Sequence, residues 1–112
     1  MKVYRIVCHA GKGMYSSDLW REATNGHGSM RQPGPWADGI TNFNDDHVFG
    51  FASKYQLRRW VHRKAWRAKM AELGGKVEVF KVPNVHTIRG NSQVVFIAEF
   101  AQKIAELAVD AI

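Results

Sequence analysis

The sequence predicts an α/β domain of the α+β type: a small mixed, largely antiparallel sheet covered by one long basic helix and a C-terminal helix. Three observations carry this. β-branched and aromatic runs, separated by glycine, proline and asparagine, recur along the chain, as strands and turns require. The later runs are joined by connections too short for parallel crossovers, so they pair antiparallel. Two segments, 54–73 and 100–112, have helical composition and few β-branched residues.

In chain order, Val3 to Cys8 reads as a strand ending in the glycine turn His9-Ala10-Gly11-Lys12-Gly13. Ser16 and Ser17 can cap a short helix running to about Glu22, with Asp18 favourably placed in its first turn. Residues 23–46, rich in Gly, Pro and Asn, show no periodicity and read as a long loop, a feature that in compact domains tends to be functional. His47 to Ala52 is a second strand. Ser53 and Gln56 have capping-box spacing and open a helix through Leu73, stopped by Gly74-Gly75. Lys76 to Val82 alternates as a strand, and 86–89 with 93–97 form a hairpin about Gly90-Asn91. Ala-rich Phe100 to Ile112 closes the chain as a helix.

The 112 residues, 46% of them hydrophobic, are sufficient for one domain and one core. Cys8 is the only cysteine, so no intrachain disulfide forms. Charge interrupts the first apolar run, and no stretch approaches about 18 apolar residues. No export signal or membrane partner is expected, and the reading is cytoplasmic (host cytoplasm for a phage-encoded protein). The net charge of +6 points to anionic partners.

That charge is not spread evenly. Residues 54–73 contain Lys54, Arg58, Arg59, Arg63, Lys64, Arg67 and Lys69 against Glu72, a net +6 equal to that of the whole chain. On a helix of about 100° per residue, Leu57, Trp60, Val61, Ala65, Ala68 and Ala71 share one face, expected to dock on the sheet. Arg59, Arg63, Trp66 and Met70 fall on the opposite face. Arginines beside an outward indole would offer charge to phosphates and a stacking plane to bases; a solvated outer face is the rival reading. The turn carrying Lys12, followed by Ser16 and Ser17, offers glycines and amides to a phosphate, although tight turns use glycine without any ligand. The five histidines are scattered and Asp45-Asp46-His47 has no second cluster at metal spacing, so no metal is expected.

Tyr4-Arg5, Gly13-Met14-Tyr15, Phe49-Gly50-Phe51-Ala52-Ser53 with Gln56-Leu57 and Trp60, Val79-Phe80-Lys81-Val82 and Gln93-Val94-Val95-Phe96 together resemble a group of small phage and prophage proteins, over nearly the whole chain. More distantly, the order resembles the ADP-ribosyltransferase core. That resemblance implies NAD as cofactor, Arg5 as the contact to its phosphate or ribose, Ser53 at the strand-end serine position and Gln93 near the transferase glutamate. The chain departs from the pattern where Val95 stands in place of the glutamate two positions beyond Gln93, and Ser53 is already explained as a helix cap.

Three functions compete. One is an accessory or anti-defence protein that binds a nucleotide, nucleic acid or host nucleic-acid machinery through Arg59, Arg63, Trp66, Lys12 and Arg5, with no cofactor. A second is an ADP-ribosyltransferase-like or phosphotransferase-like enzyme using Arg5, Ser53 and Gln93. The third is an inhibitor acting through a protein interface, for which an Arg/Trp face is suited. Self-association is compatible with each.

Overall fold

The computed structural model describes residues 1–25 and 36–112. Its α+β class is as expected, but the single mixed sheet resolves into two three-stranded antiparallel sheets. The first has the order β1-β3-β6, from β1 (Lys2–Val7), β3 (Lys76–Lys81) and β6 (Gln102–Ala108). The second has the order β2-β5-β4, from β2 (His47–Gly50), β5 (Val94–Ile97) and β4 (Thr87–Arg89). Tyr4 and Phe51 join the sheets by exchanging backbone hydrogen bonds of 2.8 and 2.7 Å. Gly50 is required at this seam, because a Cβ there would lie 2.7 Å from Val3 Cγ1 and 2.8 Å from the Tyr4 carbonyl.

The helices are α1 (Leu19–Thr24), α2 (Lys54–Trp60) and α3 (Lys64–Glu72). α1 ends two residues later than expected, on Asn25 in the left-handed conformation. The expected long helix is broken at Val61-His62-Arg63. Ser53 caps α2 as expected, its Oγ accepting from the Gln56 amide at 3.1 Å, but Gln56 Oε1 reaches back to the Ala52 amide at 2.8 Å, one residue before the N-cap amide that a capping box would use. At the other end Gly74 takes φ +88° and the Gly75 amide reaches the Met70 carbonyl at 2.8 Å, the expected glycine stop. Of the expected loop, the described residues 36–46 contain turns and bends only, and 26–35 lie outside the described residues.

The break has a side-chain cause. Trp60 and Trp66 lie six residues apart, about 120° apart around a continuous helix, yet both belong to one core with Trp20, Phe51, Leu57, Met70, Val77 and Val79. A straight helix could not deliver both indoles to the same layer. Turning the chain at 61–63 does, and Arg67 secures the corner by donating to the Val61 carbonyl at 2.6 Å. The apolar face of the second half is therefore reversed: Trp66 and Met70 are buried, whereas Ala65 and Ala68 are exposed. A second, smaller core of Val3, Val82, Val94 and Phe96 draws on strands of both sheets and the residue after β3.

The expected C-terminal helix is instead β6, an edge strand on β3, followed by a short turn whose Val109 is buried in the main core. Pairing with β3 overrides the helical preference of its Ala, Glu and Leu. A bulge leaves Ile104 between the pairs Phe80–Lys103 and Val79–Ala105. Lys103 and Glu106 then share a face, and Lys103 Nζ bridges Glu106 at 2.6 Å and Glu78 at 2.9 Å. No helix among the described residues is long and apolar enough to cross a membrane.

Two outcomes test this packing. Trp66→Ala is expected to cost about 3–5 kcal/mol, while Ala68→Lys stays within about 0.5 kcal/mol, measured by chemical denaturation; the reverse ranking would restore the straight helix. Tyr15 accepts a 2.7 Å hydrogen bond from Trp60 Nε1, and burial raises its phenol pKa above 10, opposed in part by that bond. As pH climbs past 10 the unfolded chain deprotonates first, so this contribution is complete below pH 10 and declines above it. Tyr15→Phe is expected to cost about 1 kcal/mol at neutral pH and to flatten the alkaline decline relative to the parent protein.

Candidate functional site

Burying the apolar residues of α2 and α3 leaves their cations outside. Lys54, Arg58, Arg59, Arg63 and Lys64 are exposed, and among the described residues no carboxylate lies within ion-pair distance of any of them. The other two are engaged: Lys69 pairs with Glu72 at 3.4 Å and Arg67 holds the helix corner. The expected cations are therefore at the surface, but on two helices and the turn between them rather than on one helix face.

The aromatic expected beside them is not at the surface. Trp66 is only 7% exposed, packed edge-on to Trp20 at 5.9 Å, with His62 4.9 Å away and the Arg63 guanidinium 5.0 Å over its ring. The helix break turns it inward, so it offers no stacking plane to solvent. The exposed aromatic of the face is Tyr55, at 58%, which the sequence reading missed. Arg59 Nη1 donates to its phenol oxygen at 3.1 Å, with the guanidinium carbon 5.7 Å from the ring centroid. The available signal was the four-residue spacing of Tyr55 and Arg59 on one helix. Beside them a cleft of about 440 Å³ is lined by Ser53, Gln56, Asn91 and Ser92.

Arg5 lies elsewhere. It is half-buried on β1, donates from Nη1 to the Phe49 carbonyl at 2.9 Å, and sits 5.7 Å from the Phe49 ring centroid. Burial lowers its pKa, partly offset by Glu78, its cross-strand neighbour, whose carboxylate is engaged by Lys103. Gly13 lies so close that a Cβ there would come 2.8 Å from Arg5 Nη2. The guanidinium lines a cleft of about 180 Å³ with Ser16, Phe43, His47, Phe49 and Val95.

Lys12 is exposed on its turn and lines neither cleft. Two amides of that turn, those of Ala10 and Lys12, act on Cys8. Burial alone would raise that thiol, but the backbone N–H groups of Ala10 and Lys12, with the Ser17 hydroxyl, hold its pKa below the ordinary value.

Among the described residues, two of the transferase positions line different clefts and the third lines neither of these. Arg5 lines one and Ser53 the other, where it caps α2. Gln93 is buried and lines neither, its amide donating to Asp38 at 3.0 Å. Asp38, also buried and missed in the sequence, accepts the Ser92 hydroxyl at 2.6 Å and both the Ser92 and Gln93 amides, tying residues 36–40 to the β4–β5 turn. The position beside Arg5 where the resemblance implies a glutamate holds Val95.

Among curated proteins and solved structures nothing matches the chain. A family model described as Bacteriophage T4 Y00F protein matches residues 1–110. The resemblance to phage proteins is thus borne out, and that to the transferase core gains nothing from the comparisons. Spanning nearly its whole length, the match places this chain in the bacteriophage T4 Y00F protein family.

Proposed function

We propose that this phage-family protein is an accessory factor that binds nucleic acid along the exposed basic face of α2 and α3. One observation carries the reading: Lys54, Arg58, Arg59, Arg63 and Lys64 point to solvent with no carboxylate partner among the described residues. Unneutralised cations on adjoining helices match the charge of a phosphate backbone, and releasing its counterions drives association. A rim of this kind also fits an acidic surface on a host nucleic-acid-handling protein. Retention of a protein partner after nuclease treatment of a lysate pull-down would move the reading to that surface.

Affinity for a short labelled oligonucleotide, followed by anisotropy, is expected to fall steeply with salt. Arg59→Glu with Arg63→Glu is expected to weaken binding at least tenfold and to make the log–log salt slope shallower by about 1.4 for single strands, at about 0.7 for each phosphate no longer neutralised. The far-UV circular dichroism should stay unchanged. Unaltered affinity in the double variant removes this face from the account.

A second reading rests on Arg5. A half-buried guanidinium with no carboxylate in ion-pair distance among the described residues, between Phe43, Phe49, His47 and Ser16, suits a small anion carrying an aromatic ring, such as a nucleotide. NAD is the probe for the transferase alternative, and Val95 at the acid position favours binding over turnover. Thermal-shift titration with mononucleotides and NAD should show a rise in midpoint that Arg5→Gln removes; labelled NAD leaving label on a host target would instead favour the enzyme.

A further inference from the structure

We infer that Tyr55 is a base-stacking platform, making the cleft between the start of α2 and the β4–β5 turn a site for an unpaired nucleobase and its phosphate. This rests on the nucleic-acid reading above and specifies its substrate as single-stranded. Duplex binding needs only cations spaced along a backbone, whereas an unpaired base needs an aromatic face with room beside it. Tyr55 is the aromatic of α2 and α3 that remains outside, since Trp60 and Trp66 are both in the core.

Its surroundings complete the site. Arg59 holds the ring by its hydroxyl end, which fixes the ring's orientation and places a guanidinium where the phosphate of a stacked nucleotide would lie. The adjoining cleft, about 440 Å³, is in the size range of small-ligand sites. Across it the exposed Asn91 carries a side-chain amide able to meet a base edge, and the Ser92 oxygen, whose proton goes to Asp38, can accept from one. Asp38 fixes that wall, because its carboxylate and carbonyl take the amides of Ser92, Gln93 and Asn91. Lys54 and Arg58, exposed on the same helix, extend the positive potential along a departing strand.

The test compares single-stranded DNA, single-stranded RNA and a duplex of the same sequence, each labelled, against the parent protein, Tyr55→Ala, Tyr55→Phe and the Arg59/Arg63 double variant. Tyr55→Ala is expected to weaken single-strand binding about tenfold, the loss of one stacked base, and to leave duplex binding within about twofold. Tyr55→Phe keeps the ring and loses only the hydroxyl that Arg59 holds, so it should retain most of the single-strand affinity; a loss as large as that of Tyr55→Ala would assign the effect to the hydroxyl and overturn the stacking site. The two single-stranded arms decide whether the site takes deoxyribose, ribose or both. Equal losses on single strands and duplex, or no loss in Tyr55→Ala, overturn the stacking site while leaving the basic face intact. A parent protein that binds none of the three overturns both.

Discussion

Two indoles set the terms for the helical layer. Trp60 and Trp66 are each too large to leave outside without losing a substantial share of the burial available to a domain this small. Their spacing forbids both from entering one core along a straight helix, so the chain turns between them. From that turn follow the reversed face of α3, the carbonyl at Val61 that Arg67 must satisfy, and the position of the cations. Charge is displayed here because the apolar atoms of α2 and α3 have been rotated away from it.

The same displacement separates two kinds of positive charge. Lys54, Arg58, Arg59, Arg63 and Lys64 on and between α2 and α3 are exposed, suited to a delocalised polyanion. Arg5 is held between the sheets against Phe49 and Gly13, where partial desolvation makes any anion that reaches it bind with more geometric constraint. The pairing at Tyr4 and Phe51 sets where Arg5 sits, since it fixes β1 beside the end of β2.

What could be read in the sequence was mostly local. The Ser53–Gln56 cap, the Gly74-Gly75 stop, the first strand and the hairpin about Gly90-Asn91 each depend on neighbours within a few residues. The basic stretch was legible as composition. Its geometry was not, because a helical wheel assumes an unbroken helix and nothing at Val61-His62-Arg63 resembles a glycine or proline break. β6 failed for a subtler reason. As an edge strand exposed on both sides it lacks apolar alternation, and its bulge puts Lys103 and Glu106 on one face at a spacing of three, which imitates a helical ion pair. Asp38 was illegible because its partners lie more than fifty positions away.

That bulge has a consequence for how these molecules behave toward one another. Among the described residues β6 has a hydrogen-bonded neighbour on one side only, and seven residues of open edge are a ready template for growth of a sheet from chain to chain. The additional residue at Ile104 puts the edge out of step with any regular incoming strand. At β6, then, the irregularity makes the edge a poorer template for a neighbouring copy than an unbroken strand would be.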